Sequence, residues 1–101
     1  MMNITLYSPA ELTALVGGRA RELRLAKGLR QTDVAEAAGV PVSTLKRFES
    51  RGDAGFSAVV RIAIALGAER QFAELFAAPD TRTLDDILRG NRRRLRARKK
   101  S

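Results

Sequence analysis

The chain has 101 residues, 45% of them hydrophobic, and no Cys, His or Trp. That length holds one domain with a small core. Without Cys or His, disulfides, thiolate chemistry and the usual zinc or iron ligand sets are excluded, so no metal and no cofactor is expected. The formal net charge of +8 is uneven: residues 1–79 carry 10 Lys/Arg against 8 Asp/Glu, and residues 80–101 carry 9 against 3. A near-neutral body with a strongly basic end attracts polyanions through that end.

In chain order, residues 1–7 (MMNITLY) alternate in part, with Ile4 and Leu6 on one side, which fits an added strand or a loose end. Ser8-Pro9-Ala10-Glu11 then marks a helix start: Ser8 caps, Pro9 suits the first helical position and Glu11 completes a capping box. Leu12, Val16, Ala20 and Leu23 recur at helical steps as its apolar face. Gly17-Gly18 weakens this helix and predicts a bend or separate first turns; Gly28 ends it.

A two-turn helix follows from Gln31 to Ala38, stopped by Gly39, and another from about Val42 to Ser50. Ser57 is expected to cap a fourth helix, with Val59, Ile62, Ala63 and Leu66 inward until Gly67. A fifth spans roughly Glu69 to Ala77, with Phe72, Leu75 and Phe76 on one side and Pro79 closing it. Thr83 to Leu88 suits a further turn or two before Gly90 and the terminal RRRLRARKK. The expected organisation is an N-terminal extension over 1–8, an all-α five-helix domain over 9–78 and a C-terminal segment over 79–101. The N-terminus has no basic region followed by a long apolar run, and the apolar stretches are too short to span a bilayer, so a cytoplasmic protein without membrane contact is expected.

Helices this short are marginal alone and persist only by packing. Leu29, Val34, Ala35, Ala38, Val40, Leu45 and Phe48 supply the inward side of the two short helices, and Gly39 permits the sharp reversal between them. The second helix then presents Val42, Ser43, Lys46 and Arg47 outward, a short, mixed face of the kind a DNA major groove accepts. The segment reads as a helix-turn-helix with Val42–Ser50 as its recognition helix.

Arg24, Gly28-Leu29, Gln31, Ala35, Gly39-Val40, Leu45, Phe48-Glu49, Gly52, Ile62-Ala63 and Ala65-Leu66-Gly67 together resemble the Xre or Cro/CI-type helix-turn-helix repressors. The resemblance runs from about Leu15 to Leu66, roughly half the chain. It implies a five-helix, lambda-repressor-like domain that binds a palindromic operator as a homodimer. By position it implies base contacts from Val42, Ser43 and Arg47, with Gln31 near the DNA backbone. The chemistry agrees: Arg47 suits guanine O6 and N7, Ser43 either kind of base edge, and Val42 a thymine methyl. Lys46, Gln31 and Thr44 suit phosphates. The resemblance also implies a partly buried ion pair between Arg24 and Glu49 that orients the recognition helix. The chain departs from the pattern at Arg30, Thr32-Asp33 and Pro41; at Pro41 a Ser or Thr cap is common, so Val42 or Ser43 is a candidate for part of that role.

The tail residues Arg92, Arg93, Arg94, Arg96, Arg98, Lys99 and Lys100 suit phosphate contacts along double-stranded DNA; the alternatives are a tail that only raises solubility and one that docks on an acidic partner protein. These residues lack the interleaved aromatics of a single-strand binder. No serine has a histidine to activate it, and the acidic residues fall singly or side by side, so no enzyme is expected. Phe72, Leu75 and Phe76 are candidate homodimer contacts, or else close the core. Ile4 and Leu6 are an alternative, pairing as strands between subunits. The general layout also resembles, more loosely, the HipB-type antitoxins, which implies a cognate kinase-like toxin as a second partner.

Overall fold

A computed structural model describes residues 7–79 together with Leu88 and Arg89. The strand or loose end expected over residues 1–7, apart from Tyr7, lies outside the described residues, as do the basic tail and most of the turn expected between Thr83 and Leu88. The chain divides into two compact units, Met1–Glu69 and Arg70–Ser101. The helices are α1 (Pro9–Ala26), α2 (Gln31–Ala38), α3 (Val42–Arg51), α4 (Phe56–Ala65) and α5 (Glu69–Ala73).

α1 begins as its sequence dictates. Ser8 Oγ accepts from the Glu11 amide at 3.1 Å, and the Glu11 carboxylate accepts from the Ser8 amide at 2.9 Å, with Pro9 in the first position. The bend expected at Gly17-Gly18 does not occur; α1 is one helix of 18 residues. Its buried side also differs from the expected apolar stripe. Leu12 and Val16 are exposed, whereas Gly17 and Arg24 are buried and Ala20 and Leu23 pack on the core. The reason is the crossing with α3. A β-carbon on Gly17 would overlap the Phe48 carbonyl oxygen, and one on Gly52, at the end of α3, would overlap the Thr13 backbone. Two backbones meet there with no room for side chains, so at the crossing α1 presents Gly17 rather than an aliphatic residue.

The core of the first unit is Val34, Ala35, Ala38, Leu45, Phe48, Ile62 and Leu66. Leu45, Ile62 and Val34 are fully enclosed, each burial contributing about 1.5–3 kcal/mol. Leu29, Val40 and Val59 pack around them, as their spacing predicts. α2 ends at Gly39, whose φ of +70° places it in the left-handed region and turns the chain into α3.

Two helix ends and one cap depart from the sequence reading. α3 starts at Val42 with Pro41 in the cap position, and no side chain, from Val42 or Ser43 included, caps it. α4 is capped by Gly55 and not by Ser57, which lies inside its first turn. α5 stops at Ala73 instead of running to Ala77, because hydrogen bonds there tighten to three-residue spacing: the Leu75 amide donates to the Phe72 carbonyl and the Ala77 amide to that of Glu74. Phe76 sits at φ +64°, outside helical geometry. The described residues are all-α, with α1 to α5 following one another in the manner of a lambda-repressor-like helix-turn-helix fold.

Candidate nucleic-acid interface

The position of α3 is set from behind by one polar cluster. Glu49 is buried on its inner face and accepts from Arg24 of α1 in a fork, Nε to Oε2 at 2.7 Å and Nη2 to Oε1 at 3.0 Å. The remaining Arg24 nitrogen, Nη1, donates to the Leu29 carbonyl in the turn before α2 at 3.0 Å. Gln31, the first residue of α2, donates its side-chain amide to Glu49 Oε1 at 3.0 Å. Fork geometry of this kind fixes direction as well as distance. One carboxylate thereby joins α1, the α1–α2 turn, α2 and α3. The hydrogen bonds and charge of Glu49 raise the Arg24 pKa above its ordinary value against the opposing effect of burial. Among the described residues no buried side-chain nitrogen or oxygen lacks a partner.

With Leu45, Phe48 and Glu49 inward, α3 turns Ser43, Lys46, Arg47 and Ser50 to solvent. Val42 and Thr44 are half-buried, and Val42 packs against the core, so only part of each is on the outer surface. Ser43, Lys46 and Arg47 are therefore brought together on one exposed face, while Gln31 has its amide turned inward to Glu49. Beside the start of α3 lies an open cleft of about 320 Å³, with Pro41 and Thr44 on one side and Ser57, Ala58 and Arg61 on the other.

Two acidic residues have roles that their sequence positions did not suggest. Asp33, three residues into α2, accepts from the Arg30 backbone amide at 2.9 Å and from the Arg30 guanidinium at 3.1 and 3.2 Å. It thus closes the start of α2 although Arg30 cannot accept in return. Hydrogen bonds from the Arg30 side chain, and then from its backbone, hold the Asp33 carboxyl below its ordinary pKa. Asp53, in the turn after α3, pairs with Arg47 at 3.3 Å, Nε to Oδ2. The six-residue separation matches no helical spacing, and only the left-handed turn at Gly52, φ +74°, returns the chain towards Arg47.

Residues 15–76 match the family described as helix-turn-helix domain. The chain belongs to that family. Membership is consistent with DNA-binding transcriptional regulation. Among curated proteins, none matches the chain.

Of the expected dimer contacts, Phe72 is half-buried, Leu75 exposed and Phe76 almost wholly exposed. α4 adds a second apolar stripe unremarked in the sequence, Phe56, Val60 and Ile64, with its two ends exposed. Among the described residues, no group of three or more Asp, Glu, His or Cys side chains comes together to hold a metal, and no helix is long and apolar enough to cross a membrane.

Proposed function

We propose that this protein is a sequence-specific regulator of transcription that binds double-stranded DNA as a homodimer and represses by occupying a palindromic operator. The observation that carries the reading is the division of α3: Leu45, Phe48 and Glu49 anchor it, and Ser43, Lys46 and Arg47 face out together. In the major groove Arg47 would bond end-on to guanine O6 and N7, Ser43 would meet a neighbouring base edge, and the exposed part of Val42 a thymine methyl. Lys46, Thr44 and Gln31, through its backbone and second amide hydrogen, would set the register on phosphates. The tail from Arg92 to Lys100 would add phosphate contacts without sequence preference.

One such helix reads only a few base pairs, so two copies on half-sites about 34 Å apart extend the site. Leu75 and Phe76, with Phe72, are the proposed contact between copies. Selection of duplexes from a random pool tests the reading. A two-fold site with half-sites one helical turn apart is expected, together with a dimer in sedimentation at micromolar concentration. Recovery of no preferred sequence would end it. The antitoxin alternative adds a protein partner to the same DNA-binding face, and a kinase-like toxin frame beside the gene would favour it.

A further inference from the structure

The outer face of α3 carries Lys46, Arg47 and Arg51, all suited to DNA, yet an acidic side chain stands among them. Asp53 pairs with Arg47, and both side chains are substantially exposed, at 65% and 45%. An exposed ion pair contributes little to stability, and a carboxylate at a DNA-facing surface opposes phosphate. Neither the fold nor general affinity for DNA accounts for it.

Its placement is nevertheless tightly determined. Gly52 is pressed against the Thr13 backbone of α1, where any β-carbon would overlap, and its left-handed φ of +74° fixes the direction in which the chain leaves α3. The Thr13 hydroxyl also donates to the Arg51 carbonyl at 3.4 Å. Asp53 follows directly, so the α1–α3 crossing that positions the helix also positions this carboxylate. Its approach is to Nε of Arg47. An arginine presents five N–H donors in a rigid plane. The nearest approach lies on the Nε edge, at 3.3 Å, and the two terminal nitrogens, which make no side-chain hydrogen bond among the described residues, remain for a bidentate bond made end-on.

We propose that Asp53 is a specificity-determining positioning residue: it holds the Arg47 guanidinium by its Nε edge so that its terminal nitrogens meet a guanine end-on. The inference rests on the reading of Arg47 as a base contact. Holding a flexible side chain in its bound geometry lowers the ordering cost of binding. The negative charge by itself opposes the phosphates of every duplex alike, so only the positioning of Arg47 changes the ratio between right and wrong sites.

The test uses full-length protein and the duplex that the parent recovers from a random pool, compared at one salt concentration with the same duplex in which the Arg47-dependent guanine is replaced. Asp53→Asn and Asp53→Ala are expected to lower the ratio of the two affinities by roughly 3- to 10-fold. Affinity for random duplex should hold or tighten, and the melting temperature should stay unchanged. In an Arg47→Ala background, Asp53→Ala should change the ratio no further, which is the coupling of a pair acting as one unit. Equal shifts on both duplexes would show that Asp53 acts only as a charge, and would overturn the proposal. An unchanged ratio, or an effect that persists without Arg47, would overturn it too. Should Arg47→Ala itself leave every base preference intact, the base-contact reading would fail first and take this one with it.

Discussion

α3 carries an ion pair on each side, and the two behave as opposites. On the inner side Arg24 and Glu49 are almost fully buried, doubly bonded to each other and bonded onward to Leu29 and Gln31. On the outer side Arg47 and Asp53 meet at one approach in solvent. A buried pair is costly to break because each partner alone is a desolvated charge. An exposed pair can be broken at little cost. The difference separates two tasks within ten residues of helix: the inner pair fixes where the helix lies, and the outer pair acts on how one side chain is presented.

The comparison breaks most visibly at Glu49. Glu49→Ala is expected to destabilise the domain by about 3–5 kcal/mol, a large share of the roughly 5–15 kcal/mol that holds a typical domain. Thermal or urea unfolding would measure it. Adding Arg24→Met to Glu49→Leu should recover much of the loss, because no charge is then left buried. A double variant as unstable as the single one would show that the cluster matters through Leu29 and Gln31 rather than through its charges.

The α1–α3 crossing sharpens the point through two adjacent glycines. Gly17→Ala puts a methyl onto the Phe48 carbonyl and should cost about 1–3 kcal/mol as an overpacked contact. Gly18→Ala meets nothing within 4 Å and should stabilise by about 1 kcal/mol through helix propensity. That gain corresponds to a melting temperature higher by about 4–8 °C for a domain of this size. Changes of the same sign at both positions would contradict the crossing geometry.

Asp53→Ala, by contrast, should leave stability within about 1 kcal/mol of the parent. Smallest is the pH effect at the start of α2. The folded-state pKa of Asp33 is lowered, so its stabilisation is present above the ordinary value of 3.8 and is lost as pH falls through the lowered one. The parent should therefore exceed Asp33→Asn in stability at neutral pH, and the gap should close in acid. A constant gap would mean that the charge is not involved.

The same contrast explains how much was legible in the sequence. The capping box of α1, the span of α2, the turn at Gly39 and the inward residues of α2 and α3 follow from local rules, and the structure has them in place. The crossing was not legible, because a hydrophobic pattern counts aliphatic side chains and the buried face of α1 runs through Gly17 and Arg24. Gly17-Gly18 read as weakness when one of the pair is the contact itself. Asp53 escaped for another reason: its pairing depends on a reversal at Gly52 that no helical spacing encodes. The end of α5 was misjudged because Phe72, Leu75 and Phe76 share a helical period although the backbone leaves the helix after Ala73.

The central claim, that the outer face of α3 reads base sequence, meets its most direct test in one selection experiment. Parent protein and Arg47→Ala are each used to recover duplexes from the same random pool at the same salt concentration. The parent should enrich a site containing a strongly preferred guanine, and Arg47→Ala should lose that preference alone, a discrimination of about 1–3 kcal/mol, while keeping the rest of the site. Identical sites from both proteins, or a uniform loss of affinity with no base affected, would contradict it.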